Sequence, residues 1–270
     1  MVPLREGGTL PAVVEAGDGG LWVVKFRGAG QGARALVAEV LVGELAREIG
    51  LPVPPMAIIE VPESLGRTER DPEIQDLLQA SRGVNVGIAY LEGAFNFDGN
   101  AAGDLVSAEL ATRLVWFDAF VTNPDRSPRN PNLMIHGGKP WLIDHGAALY
   151  AHFNWERVDE ARSRAPFPRI ADHVLLGRAE SIEAVDPELA ERLIGGGVES
   201  ALARVPEELL EDPLLAGEFA SVEEHREAYR TYLKKRLSAG PGGRRPFAVA
   251  AEEVRLAHLA GQPRSLEARR

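Results

Sequence analysis

Between Asn123 and Gly146 the chain gathers Asp125, Asn130, Asn132 and Asp144, interleaved with Arg126, Arg129 and Lys139. Carboxylate and amide oxygens are hard ligands suited to Mg2+, and a carboxylate within reach of a hydroxyl can orient it for attack. These are the parts that phosphoryl transfer asks of a protein, because that reaction needs positioning and charge neutralisation more than covalent work. Asp125 is the candidate to orient the hydroxyl, with Arg126 beside it as a second catalytic candidate. Asn130 or Asn132, together with Asp144, would hold the metal on ATP. Far upstream, Lys25 stands inside the apolar stretch Leu-Trp-Val-Val-Lys-Phe. An ammonium buried there needs an anionic partner, and it could reach the phosphates; otherwise it is a solvent-facing residue on a two-sided sheet.

Local structure must bring these groups together. Pro124, Pro128 and Pro131 stiffen the loop that carries Asp125, since each fixes one backbone torsion and lowers loop entropy. Residues 133–135 and 141–143 read as two strands around Gly137-Gly138, a hairpin that delivers Asp144 to the amides. Gly146 is expected to let the chain turn so that the Asp144 carboxylate faces the metal. Asn130 lies five residues after Asp125, the Asp-x-x-x-x-Asn spacing of protein kinases. Asn132 lies seven after but stands directly before a strand, which favours it and keeps Asn130 as the alternative.

On the amino-terminal side, residues 10–16 and 21–26 form a hairpin around Asp18-Gly19. Two-residue periodicity puts Val23, Lys25 and Arg27 on one face and Trp22, Val24 and Phe26 on the other. Residues 33–49 repeat Leu36, Val37, Val40, Leu41, Leu45 and Ile49 at helical spacing, and Gly50 with Pro52 ends the helix. That helix should supply the carboxylate for Lys25. Glu44 falls in its apolar arc, whereas Glu39 lies beside the small residues Ala38, Gly43 and Ala46; periodicity does not choose between them. Gly7-Gly8-Thr9 is a turn whose backbone N–H groups could face phosphate, with the glycine-rich loop 28–32 as a rival. Leu91, where the sheet should end, is a further candidate nucleotide contact.

Strands are expected at 56–61 and 84–91, and helices at 71–79 and 104–121. From about Ser181 onward the pattern is helical at 187–194, 198–205, 222–237 and 246–259, with a glycine-rich loop at 239–245. Strands and one helix thus precede a mostly helical half. The expected architecture is α+β and two-lobed: a small, β-rich, nucleotide-binding lobe (1–92), a larger helical catalytic lobe (93–262) and a frayed tail (263–270).

Of the 270 residues 45% are hydrophobic and 26% charged, as in a soluble globular protein, and no apolar run approaches a membrane span. No secretory leader is expected at the N-terminus. The absence of cysteine excludes disulfides, thiolate catalysis and Cys-ligated metals, and fits a cytoplasmic protein. A net charge of −10 makes nucleic acid an improbable partner, because phosphate would be repelled. His136, His145, His152 and His173 lack a zinc-like spacing and read as structural or ligand-adjacent. No Gly-x-Ser-x-Gly and no P-loop is present.

Val-Val-Lys-Phe around Lys25, Glu39 ahead of Gly50-Leu-Pro-Val-Pro, Asn-Pro-Asp-Arg at 123–126, Asn-Pro-Asn-Leu at 130–133 and Ile-Asp-His-Gly at 143–146 resemble the HipA-like kinases. That family belongs with the phosphatidylinositol 3/4-kinase-like branch of the protein-kinase fold, and the resemblance covers residues 5–150. It implies that Lys25 contacts ATP phosphates, Glu39 braces Lys25, Asp125 is the catalytic Asp, and Asn130 or Asn132 with Asp144 binds Mg2+. It implies a hydroxyl acceptor, on protein Ser/Thr or a small molecule. Some members are toxins of toxin–antitoxin pairs; this chain is shorter and shows no separate N-terminal subdomain, so neither toxicity nor a translation-factor substrate is carried over. Two other readings use the same groups: a nucleotide-binding pseudokinase that serves as an interaction module, and an adenylyltransferase. All three require Lys25 and Asp144 to meet across one crevice.

Overall fold

The computed structural model describes residues 2–3, 11–66, 70–99, 101–212 and 217–261. Gly7, Gly8 and Thr9, and the tail from 262, lie outside the described residues.

The amino-terminal part is an antiparallel sheet of β1 (Val2–Pro3), β2 (Ala12–Glu15), β3 (Leu21–Lys25), β4 (Met56–Val61) and β5 (Gly83–Ala89), ordered β1-β2-β3-β5-β4. Lys25, on the central strand β3, pairs with Val86 of β5. Alternation works as expected. Val24 and Phe26 turn to a small apolar cluster with Ala12, Val61 and Leu78, beneath helix α2 (Pro72–Ala80). Lys25 faces the other way, toward helix α1 (Ala33–Glu48).

α1 is stopped as its sequence predicts. Gly50 takes a φ of 78°, and the amides of Gly50 and Leu51 return to the carbonyls of Arg47 and Ala46, which closes two of the helix's orphan acceptors. Arg113 donates to the Ile49 carbonyl just beyond. α1 is buried nearly all round, because it is sandwiched between the sheet and the helical part.

The carboxyl-terminal part is built on α3 (Ala108–Val121), whose Leu114, Val115, Trp116, Phe117 and Phe120 are all buried. Around it pack α4 (Glu160–Arg164), α5 (Ile182–Arg192), α6 (Val198–Ala203), α7 (Glu207–Leu210), α8 (Val222–Leu237) and α9 (Pro246–Gly261). Trp116, Phe120 and Phe247 of α9 meet with ring centroids 5.3–5.6 Å apart. One core runs from α1 through α3 to α9, so the two parts share their apolar interior. A second, three-stranded sheet of β6 (Phe95–Asn96), β7 (Leu133–His136) and β8 (Lys139–Leu142) lies between them in sequence. Among the described residues no helix is long and apolar enough to cross a membrane.

Three elements differ from the sequence expectation. The helix expected at 104–121 is broken: a 3-10 turn at Gly103–Leu105 precedes Ser107, whose hydroxyl accepts from the Leu110 amide and starts α3 afresh. α5 begins at Ile182 and carries Pro187 in its second turn rather than at its start. There Asp186 accepts from Trp116 Nε1 and Arg245, both at 2.8 Å, and these tertiary bonds outweigh the amide bond that Pro187 lacks. Residues 150–178 hold α4 and a series of 3-10 turns where periodicity gives no signal.

The end of α3 shows how packing reaches the functional loop. A helix leaves four carbonyls without intrahelical partners, and here all four are satisfied. The Asp118 carbonyl accepts from the Thr122 and Asn123 amides, and that of Val121 from Leu149. Those of Ala119 and Phe120 accept from Arg236 of α8, at 2.8 and 2.6 Å. The same buried guanidinium donates to Ser163 and Ala165 at the end of α4. Its positive charge stands where two helix dipoles end, a favourable placement. Arg236→Met strands these acceptors in the interior and is expected to cost about 3–5 kcal/mol. Urea unfolding measures this; a loss below about 1 kcal/mol is incompatible with the capping role.

Candidate active site

Lys25 forms the centre of the site. Its ammonium lies 2.7 Å from Glu39 Oε2 and 2.5 Å from Asp144 Oδ1. Strand β3, helix α1 and the segment after β8 thus converge on one nitrogen. Glu39 is 1% exposed, while the Asp144 side chain is 46% exposed. Glu39 Oε2 also accepts from the backbone amide of His145 at 2.8 Å. α1 is therefore tied both to the lysine and to the backbone beside Asp144. Glu44 is the rival that the structure sets aside: it bonds Arg47 on its own helix.

Electrostatics follow from one cation between two anions. Burial works to lower the Lys25 pKa, but the charges of Glu39 and Asp144 outweigh it, and the ammonium is held above its ordinary range. Burial likewise works to raise Asp144; Lys25 prevails and the carboxyl is held low. For Glu39, burial pushes the carboxyl up against the pull of Lys25. We take the ion pair as intact, because the ammonium touches both carboxylates and Glu39 has a second donor in the His145 amide.

Asp144 is positioned by the hairpin β7–β8. Gly137 and Gly138 both take positive φ, 58° and 73°, as a two-residue turn of this type demands. Leu133 pairs with Leu142, and the Ile143 amide bonds the Asn132 carbonyl at 3.1 Å. Asn132 therefore stands directly across from the residue preceding Asp144. Sequence assigned the local turn to Gly146; the structure puts it two residues earlier. Asp144 itself is left-handed, with φ 56°, and Gly146 has ordinary backbone. Asp tolerates this region because its short side chain can bond locally.

The loop of Asp125 is closed by amides. Asn132 Nδ2 donates to the Asp125 carbonyl at 2.7 Å and to Oδ2 at 3.1 Å. Asn130 Nδ2 donates to the same Oδ2 at 3.0 Å. The two Asn residues that compete for the metal are thus both gathered at Asp125. Asn132 is buried with φ 46°, and Asn130 is exposed. Leu91 follows β5 at the exit of the sheet, in a turn closed by the Ala94 amide. Gly28, in the rival glycine loop, lies against Ala80 and Ser81, where its amide bonds the Ser81 hydroxyl.

Arg126 turns inward. Its Nε donates to Asp118 at 2.6 Å, and Nη1 donates to the Asn132 carbonyl. It therefore stands apart from Arg129 and Lys139, its exposed basic neighbours in sequence. Asp118 was missed. It accepts from Arg126, from His173 Nε2 at 2.9 Å and from Asn123 Nδ2 at 3.1 Å. His173 Nδ1 accepts from the Leu175 amide, so the ring is neutral with its proton on Nε2. Burial favours the acid form of Asp118, but Arg126 and His173 hold the carboxyl low. The signal was in the sequence: one carboxylate amid Leu-Val-Trp-Phe-Asp-Ala-Phe-Val needs an internal cation.

Four non-glycine residues with positive φ, Thr122, Asn132, Asp144 and Leu149, surround this site among the described residues. Each costs roughly 1–3 kcal/mol and persists only because neighbours over-determine it. Thr122 and Leu149 are locked to each other's segments by the bonds Leu149 N to Val121 O and Tyr150 N to Thr122 Oγ1.

Comparison with known proteins follows from this geometry. A family model described as HipA-like kinase matches residues 1–211. No curated protein matches. Among solved structures, the chain is similar to the Helicobacter pylori proinflammatory kinase CtkA, at 12% identity and a TM-score of 0.52 over 94% of each chain. At that identity the likeness concerns the fold, a small antiparallel sheet lobe with a larger helical part.

His145 and His152 are buried, and desolvation lowers each to a pKa of about 3. The sign follows directly. Below the unfolded value near 6.5 the unfolded chain takes up protons that these folded rings refuse, so stability falls as pH falls. Between pH 7 and 5.5 the two together are expected to remove about 2.5 kcal/mol. A urea midpoint that stays constant over this range contradicts the assignment.

Proposed function

The chain belongs to the HipA-like kinase family, and from that membership we propose that it transfers the γ-phosphoryl group of ATP, with Mg2+, to a hydroxyl acceptor. The observation that carries the reading is the bridging of Glu39 and Asp144 by Lys25, with Asp125 and Asn132 held beside the same hairpin. Residues 1–92 act as the nucleotide-binding part and 93–262 as the catalytic part, in a cytoplasmic protein.

The residues suit Mg2+. Asn132 uses its Nδ2 on Asp125, which leaves Oδ1 as a ligand, and Asp144 is half exposed. Among the described residues no group of three or more His, Asp or Glu is arranged as a cage. That matches a cation which keeps waters and takes phosphate oxygens as ligands. Asp144 and Asn132 would hold it, with Asn130 as the alternative, and its chemistry would be neutralisation of phosphate charge.

The protein's own part is positioning. Lys25 binds phosphate oxygens and Glu39 keeps its ammonium in place. Gly7, Gly8 and Thr9 are the proposed backbone contacts and Leu91 a contact to the nucleotide. Asp125 accepts the proton of the acceptor hydroxyl. The new bond forms between that oxygen and the γ-phosphorus, the bond to the β,γ-bridging oxygen breaks, and ADP departs with the electron pair. Arg126 serves by holding the Asn132 carbonyl to Asp118.

Incubation with γ-labelled ATP and Mg2+ tests the reading, with product mass as the second readout. Asp125→Ala is expected to lower turnover by roughly 10^2–10^4-fold, the range of a lost general base. Asp144→Ala is expected to weaken Mg2+-dependent transfer at least as much. Equal incorporation by all three proteins rejects the proposal. A product heavier by AMP instead of phosphate selects adenylyl transfer.

A further inference from the structure

The segment after Asp144-His145-Gly146 folds back across the end of α3 and encloses, with α8, a cavity of about 360 Å3. Its floor is Thr122 and Pro124, the latter adjoining Asp125. Its walls include the rings of Tyr150, Phe167 and Tyr232. Tyr150 is 63% exposed, so the apolar wall continues onto the outer surface.

Arg162 of α4 and Arg169 of the 3-10 turn Pro168–Asp172 stand on the same cavity, and both are exposed. Neither guanidinium has an ion-pair or hydrogen-bond partner among the described residues. Their neighbours do: Arg164 pairs with Glu160, and Arg236 is occupied by four carbonyls. In a chain of net charge −10, where carboxylates are in excess, two guanidinium groups without one complement an external anion.

We propose that this cavity is the acceptor site, and that it takes a polypeptide segment in which a Ser or Thr is flanked by an apolar residue and by carboxylates. The assignment rests on the phosphoryl transfer proposed above. The apolar residue enters between Tyr150 and Phe167, the carboxylates pair with Arg162 and Arg169, and the hydroxyl is left at the floor beside Asp125. A polypeptide fits better than a small alcohol. The two arginines come from separate elements around an apolar pocket that opens outward, and only a ligand with several side chains engages all three features together.

Two dye-labelled peptides test this, one with Leu-Ser flanked by Asp and Glu, the other identical but flanked by Arg and Lys. Binding is read by fluorescence anisotropy and transfer by phosphate incorporation from ATP–Mg2+. The wild-type protein is expected to prefer the acidic peptide by roughly tenfold, the scale of two partly exposed charge pairs. The double variant Arg162→Glu with Arg169→Glu is expected to reverse that preference, a result that a misfolded protein does not give. Equal affinity of the wild type for both peptides, or a preference that survives the double substitution, overturns the proposal. Charge-dependent binding without incorporation keeps the docking site and rejects the kinase reading. Incorporation without charge preference does the opposite.

Discussion

A single ammonium nitrogen joins three parts of the chain that are distant in sequence. Lys25 comes from a strand, Glu39 from the following helix and Asp144 from beyond the hairpin. Holding a buried and a half-exposed carboxylate against each other is unfavourable unless a cation lies between them, so each element's position becomes a condition for the others. Glu39 extends the link through the His145 amide, which makes the backbone around Asp144 dependent on where α1 sits. Any displacement of α1 away from the sheet would leave the lysine with one partner and that amide with none. The pairing therefore acts as a check on assembly of the whole crevice.

A second buried charge performs the same service on the other side. Asp118 belongs to the rigid helix α3, and through Arg126 it fixes the Asn132 carbonyl. Asn132 in turn fixes both ends of the Asp125 residue, its backbone oxygen and its carboxylate. Arg236 holds the helix end from which that loop departs. Networks of this kind restrict the groups they contain, even though Arg126 Nη2 is left without a partner here. They also pay the strain of Thr122, Asn132, Asp144 and Leu149, whose left-handed backbones mark the points where the chain must change direction sharply around the site.

Much of this was legible in the sequence, and for identifiable reasons. The hairpin around Gly137-Gly138 and the helix closed by Gly50 and Pro52 carry local signals that packing does not override. Lys25 was visible as a charge in an apolar strand. The choice between Glu39 and Glu44 was not, because an amphipathic arc identifies a buried face only when the opposite face meets solvent. α1 is covered on nearly every side, so the wheel could not choose between Glu44 in the apolar arc and Glu39, which lies deeper. Pro187 misled for a similar reason: the tertiary bonds of Asp186 sustain helix on both sides of it. The turn was expected at Gly146, two residues beyond the left-handed Asp144, since sequence names the residue best able to turn but not the one that does.

The shared core has a consequence for how the two parts work together. In a molecule with two separate apolar interiors, closure around a nucleotide would be a hinge between independent bodies. Here α1 packs with the sheet and also with α6 and α7, and its apolar residues are continuous with those of α3. Arg27, from the loop leaving β3, reaches Asp212 at 2.5 Å beyond α7. Motion that opened the crevice by carrying α1 with the sheet would expose apolar surface and break that ion pair. The segment after Gly146 is anchored to the same core through Ala148, Leu149, Ile170, Leu175 and Leu176, while Tyr150, Arg162 and Arg169 stay exposed on it. That is the same segment that walls the cavity beside Asp125. On the proposed reading, phosphate positioning falls to the shared interior, and contact with the acceptor to the exposed side chains of Tyr150, Arg162 and Arg169 at the cavity's rim.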